Sequence, residues 1–145
     1  MFTSILCPVD FSVHSERALA YALDLAALTH GHLTVVTVVD AFLDAAANAT
    51  GTRDALASQT QQEIQGLLDR VAATRRQPYE RIGITVEVGE PAREILKQVV
   101  ECRADLIVMG TQGLEGARRL VFGSTTEKVL RESRVPVLAV PADMS

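Results

Sequence analysis

Short, unbroken apolar runs alternate along this chain with longer stretches whose apolar residues recur every three or four positions. Ile5-Leu6-Cys7-Pro8-Val9 is one such run, and it stops at Asp10-Phe11-Ser12, which predicts a buried strand ending in a loop. Over residues 13–30 the spacing of Ala18, Leu19, Ala22, Leu25, Ala26 and Leu28 predicts a helix, with Gly31 as its stop. Leu33-Thr34-Val35-Val36-Thr37-Val38-Val39 is β-branched almost throughout, as in a strand covered on both faces. Residues 41–51 are alanine-rich and weakly patterned, and read as a lid or as a frayed start to the helix marked by Leu56, Ile64, Leu67, Leu68 and Val71.

The second half repeats the theme. Residues 82–88 alternate as a half-buried strand, and Gly89-Glu90-Pro91 turns into a helix with proline at its first position. Ile95, Leu96, Val99 and Val100 form that helix's apolar face. Leu106-Ile107-Val108-Met109 is another buried strand ended by Gly110, and residues 124–133 form a last helix before the strand Val137-Leu138-Ala139-Val140. This order predicts an α/β fold of the Rossmann-like kind: an open five-stranded parallel sheet with helices on both faces.

Length and composition narrow the function classes. At 145 residues the chain is expected to be a single domain, 1–145. Its 48% hydrophobic content and 22% charged residues are those of a globule. A net charge of -4 offers no broad basic surface for nucleic acid or anionic lipid, so neither is expected as a partner. Cys7 and Cys102 are too few for a disulfide framework and too far apart for a zinc ribbon, and read as buried, reduced thiols. With no basic-then-apolar leader and no apolar stretch near ~20 residues, the expected location is the cytoplasm, without a membrane span.

In open parallel sheets ligands sit outside the carboxyl ends of the strands, so the residues that follow each strand are the ones to read for chemistry. After the first come Asp10, Phe11 and Ser12; after the second, Asp40; after the third, Gly89 and Glu90; after the fifth, Pro141. After the fourth stands a long glycine-rich loop with Gly110, Gly113 and Gly123, the last opening directly onto a helix. Such a junction aims free N–H groups and the positive end of the helix dipole outward, which suits phosphate, and the hydroxyls of Ser124 and Thr125 add donors there. A structural reading stands beside this one: Ser124 with Glu127 is a capping box, the glycines turn the chain, and Arg118 and Arg119 are solvated.

The spacing of Gly110, Gly113, Gly123 and Ser124 resembles the Gly-x2-Gly-x9-Gly-Ser/Thr nucleotide loop of the ATP-binding universal stress proteins. Residues 5–12, 105–109, 127–130 and 135–137 are similar to that family as well, and residues 41–77 match it least. The resemblance implies an adenine nucleotide alpha hydrolase-like fold holding ATP or another adenine nucleotide. It places Pro8, Val9 and Asp10 at the end of strand one, Val38 against the adenine, and Met109, Gly110 and Gly113 along the ribose. Gly123, Ser124 and Thr125 hold the phosphates, and Asp10 faces the ribose or a metal-bound phosphate. Charge adds Mg²⁺ or Mn²⁺, because a triphosphate meets only Arg118 and Arg119 in this loop. Thr111-Gln112 replaces the family's more usual Ser-Arg or Ser-His, removing a cationic or imidazole partner for phosphate.

Other nucleotide folds do not fit. No glycine follows strand one, as a dinucleotide fingerprint requires, and none of the nine glycines precedes lysine, as a P-loop requires. A receiver domain would need an aspartate after strand three and a lysine after strand five, where Gly89-Glu90 and Pro141 stand. Flavin binding would need a phosphate loop after strand one. The expected function is a nucleotide-holding regulatory module in stress response. The alternative is a slow ATP hydrolase or phosphotransferase whose base would come from Asp10, Asp40, Glu90, His14, His30 or His32. The apolar strand 137–140, bracketed by Pro136 and Pro141, is expected to form a sheet edge, and its pairing in a homodimer is what the resemblance implies.

Overall fold

A computed structural model describes residues 1–75, 79–112 and 122–142. The elements are β1 (Ser4–Pro8), α1 (Val13–Thr29), β2 (His32–Val39), α2 (Ala41–Ala49), α3 (Arg53–Ala72), β3 (Ile82–Val88), α4 (Pro91–Glu101), β4 (Leu106–Gly110), α5 (Ser124–Glu132) and β5 (Val137–Val140). The five strands form one parallel sheet in the order β3-β2-β1-β4-β5, with Ile5 opposite both Leu33 and Leu106. The chain thus starts in the middle of the sheet, builds outward to β3, then crosses to β4 and β5.

The unbroken apolar runs are explained by the pleat. In β1, Ile5 and Cys7 enter the core shared with α1 and α3, while Leu6 enters the opposite one with Ala92, Ile95 and Val129 of α4 and α5. All three strand residues are fully buried. A central strand covered on both faces cannot show period-two alternation, because each successive side chain leaves water.

Two local readings change. Residues 41–51 contain a separate helix, α2, rather than a frayed start to α3. Asp40 Oδ1 accepts from the N–H groups of Phe42 (2.8 Å) and Leu43 (3.2 Å), which starts α2, and Gly51 at φ 76° breaks it from α3. Gly31 is not the residue in left-handed conformation after α1; His30 is, at φ 55°. Gly31 is glycine for another reason: a Cβ there would lie 2.9 Å from the carbonyl oxygens of both Phe2 and Thr3.

Candidate functional site

The switch in strand order falls between β1 and β4, where the chain leaves the sheet in opposite directions. Sites in open parallel sheets form at this point because the two outgoing loops diverge and leave a crevice.

The β1 end is tightly organised. Val9 donates its N–H to Val36 O (2.8 Å) and accepts from Thr37 Oγ1 (3.1 Å), and its side chain joins the core beside Cys7, so Pro8 and Val9 form the buried floor of the edge. Asp10 is exposed; its N–H donates to Ser15 Oγ (3.2 Å) and its Oδ1 accepts from Ser12 N–H (3.0 Å). Ser12, not Asp10, caps α1 by accepting from Ser15 N–H. This small turn holds Phe11 at φ 66°, a conformation that costs a non-glycine residue about 1 kcal/mol.

On the other side of the switch, β4 ends in Met109 and Gly110, both buried. Met109 and Val38 belong to the layer between the sheet and α4 and α5. Gly110 is required by close approach: a Cβ would stand 2.6 Å from His14 Cβ and 2.8 Å from the His14 carbonyl carbon. The chain then returns at Gly123, whose N–H donates to Thr111 O (2.8 Å), while the Gly110 carbonyl accepts from Thr126 Oγ1 (2.8 Å). These two bonds bring the start of α5 to the end of β4. Gly113, Arg118 and Arg119 lie outside the described residues.

The capping-box reading of Ser124 and Glu127 is corrected here. Gly123 is the cap residue, at φ −62° and ψ 159°, and no described side chain caps the helix. Ser124 and Thr125 therefore occupy its first two positions, exposed and half-buried, with N–H groups that an α-helix by itself cannot satisfy. Glu127 instead pairs with Arg131 along the helix.

Of the carboxylates considered as bases, two have structural duties. Asp40 caps α2, and Glu90 caps α4 by accepting from Ala92 (3.2 Å) and Arg93 (2.9 Å). The Arg93 N–H bond foremost, helped by Ala92 and the Lys128 ammonium 3.6 Å away, outweighs desolvation and holds the Glu90 carboxyl below its usual range. His30 and His32 lie at the opposite edge, at the turn into β2. His14 is at the site's edge, but its Nδ1 accepts from Ala142 N–H (3.1 Å) and lies 3.2 Å from Thr111 Oγ1. Sequence reasoning missed Thr126 and the joining role of His14 and Thr111, since their partners are 16, 97 and 128 residues away. Only the small residue at 110 hinted that something packs against the strand's end.

Burial pushes the Cys7 thiol far above the ordinary range, and the Cys102 thiol upward too. Among the described residues no three His, Cys, Asp or Glu side chains gather in a way that could hold a metal ion, and no helix is long and apolar enough to cross a membrane.

An all-parallel open sheet with helices on both faces, and a switch point between β1 and β4, places this chain among the doubly wound α/β proteins. The profile of the universal stress protein family matches residues 1–141, and the chain belongs to that family. It is 32% identical over 145 residues to a universal stress protein of Thermus aquaticus, spanning 97% of this chain and 99% of that one. Universal stress protein MJ0531 of Methanocaldococcus jannaschii is 30% identical over 140 residues, 97% of this chain and 82% of its own. Among solved structures, MJ0577 of the same organism superposes with a TM-score of 0.83 at 24% identity, covering 100% of this chain and 99% of that one. A universal stress protein in complex with cAMP gives 0.72 at 23% identity and 98% coverage of both chains. One from Archaeoglobus fulgidus in complex with dAMP gives 0.65 at 23% identity, over 97% and 99%. These structural likenesses establish the fold.

Proposed function

We propose that this chain holds an adenine nucleotide, ATP foremost, with its phosphates at the start of α5 and its base and ribose against the ends of β1, β2 and β4. The observation that carries this reading is the α5 N-terminus itself: glycine at the cap, no described capping side chain, and hydroxyl residues at the first two positions. Thr126 and Gly123 anchor it to the switch point, where an anionic ligand meets both the free N–H groups and the helix dipole. The cAMP and dAMP complexes of two fold neighbours support an adenine nucleotide as the class of ligand.

In this reading Val38 and Met109 border the base and ribose, Pro8 and Val9 form the floor, and Gly123, Ser124 and Thr125 receive phosphate. Gly113 belongs to the same loop motif. Mg²⁺ or Mn²⁺ accompanies the triphosphate. Asp10 suits such an ion in a limited way, since one carboxylate oxygen is taken by Ser12 and the other has no described partner. A magnesium ion bound mostly by phosphates and water needs no more than that from the protein. Bound there, the metal would neutralise phosphate charge.

The role proposed is a nucleotide-holding regulatory module of the stress response in the cytoplasm, working as a homodimer through β5. Asp40 and Glu90 already serve as helix caps, which favours holding over turnover. Calorimetric titration with Mg·ATP tests the site. Gly123→Val keeps a backbone conformation open to any residue, yet brings a branched side chain to the phosphates, and is expected to weaken ATP at least tenfold. Asp10→Ala should weaken Mg·ATP more than ATP in chelator. Equal affinity of wild type and Gly123→Val would remove the α5 start from the site.

A further inference from the structure

Thr111 and His14 form a junction that neither strand order nor the loop motif requires. Thr111 uses each of its polar groups. Its N–H donates to Val140 O in β5 (3.0 Å), its carbonyl accepts from Gly123 N–H at the start of α5 (2.8 Å), and its hydroxyl lies 3.2 Å from His14 Nδ1. The same His14 nitrogen accepts from Ala142 N–H (3.1 Å), just past β5. A backbone amide can only donate, so Nδ1 carries no proton in this arrangement. Arg17, one turn along α1, adds a bond from Nη1 to Pro141 O (3.1 Å).

His14 has little room to move, because its Cβ and backbone press on Gly110, where even a methyl group would approach to 2.6 Å. The imidazole is thus a fixed post between the first residue of the loop and the chain leaving the edge strand. Segments that share hydrogen-bond partners order one another, and ordering one end lowers the entropic cost of ordering the other.

We infer that His14 couples ligand occupancy at the start of α5 to the order of β5, Pro141 and Ala142, so that ATP and the edge strand regulate each other through Thr111. This rests on the nucleotide reading above. Phosphate held at Gly123, Ser124 and Thr125 immobilises Gly123, whose N–H fixes the Thr111 carbonyl. Thr111 in turn fixes Val140 and, with His14, Ala142. By linkage, whatever orders β5 tightens ATP by the same factor. His14 is a positioning residue in this scheme and touches no ligand.

The test combines calorimetry with residue-resolved amide exchange at Thr111 and Ala142, with and without Mg·ATP, in the wild type, His14→Ala and His14→Asn. Asparagine can offer Oδ1 where the imidazole offers Nδ1, so it should restore what alanine removes. Expected are at least fivefold slower exchange at Ala142 on adding ATP to the wild type, no slowing in His14→Ala, and partial recovery in His14→Asn. ATP should bind His14→Ala about three- to tenfold more weakly, a modest allosteric coupling. ATP binding to the wild type with unchanged Ala142 exchange would overturn the coupling and leave the nucleotide reading standing. Equal slowing in all three proteins would remove His14 from it. No ATP binding by the wild type would sink the nucleotide reading and the coupling together.

Discussion

Gly110 illustrates how one residue serves both packing and the candidate site. In the sequence it appears as a glycine of a loop motif, where ligand approach explains it. In the structure it is glycine because α1 begins on top of it, with the His14 backbone 2.8 Å from where a Cβ would stand. Gly110→Ala is therefore expected to destabilise the protein by about 2–3 kcal/mol in urea unfolding, since a helix backbone cannot yield as a flexible side chain does. A variant as stable as wild type would mean that α1 sits farther from β4. Of the two cysteines expected to be buried, Cys7 is and Cys102 is so only in part, each with its thiolate disfavoured by desolvation.

At the scale of elements, each of the helices that follows β1, β2 and β3 begins with a residue capping it through its own side chain: Ser12, Asp40 and Glu90. α5, which follows β4, begins with glycine and has no described side-chain cap; α3, which follows α2, also lacks one. Of the helices that begin at the carboxyl end of a strand, α5 is thus the one with no described side-chain cap, which supports the proposal that a ligand sits there. The cap at Glu90 also predicts a pH dependence. Its carboxyl titrates below the ordinary glutamate value of 4.5 in the folded chain, so its ionised form stabilises the fold above that value. The contribution is lost as pH falls through the lower folded pKa. Near neutral pH, Glu90→Gln should be less stable by up to about 1 kcal/mol, as for a weakened N-cap. The gap should close as the solution is acidified below 4.5. Urea melts at neutral and acid pH measure this, and a gap independent of pH would assign the loss to something other than charge.

For the whole molecule, the consequential feature is the β5 edge, which among the described residues has no strand partner besides β4. β5 pairs with β4 on one side, and Leu138 is 38% exposed in a strand without a charged residue. Ala142 turns to His14 rather than continuing the ladder. Unprotected apolar edges pair with other strands, and a twofold axis would let the same strand serve on both sides. In light scattering at tens of micromolar the wild type is expected as a dimer. Leu138→Lys should shift it to monomer, because a lysine charge would have to be desolvated in the contact. A wild-type monomer would refute pairing, and a dimer indifferent to Leu138→Lys would place the interface elsewhere.

The sequence alone determined the strands closely, because buried runs such as Leu33-Thr34-Val35-Val36 and helical spacings such as Ala18-Ala22-Ala26 are local signals of burial. Parallel order followed from strict alternation of strand and helix, and the glycine loop stood out by spacing. What residues 41–51 become was not legible, since alanine lacks a clear apolar face and the decisive facts were a cap at Asp40 and a break at Gly51. Nor was the choice between a capped and an open α5, because Ser124 fits a capping box by spacing yet sits one position inside the helix. The tertiary structure settled it by binding Gly123 N–H to Thr111 and Thr126 to Gly110, so that the helix starts where the sheet holds it. His14 gained its place in the same way. A hydrogen bond between residues 128 positions apart leaves no periodic trace in a sequence, because only the fold brings its partners together.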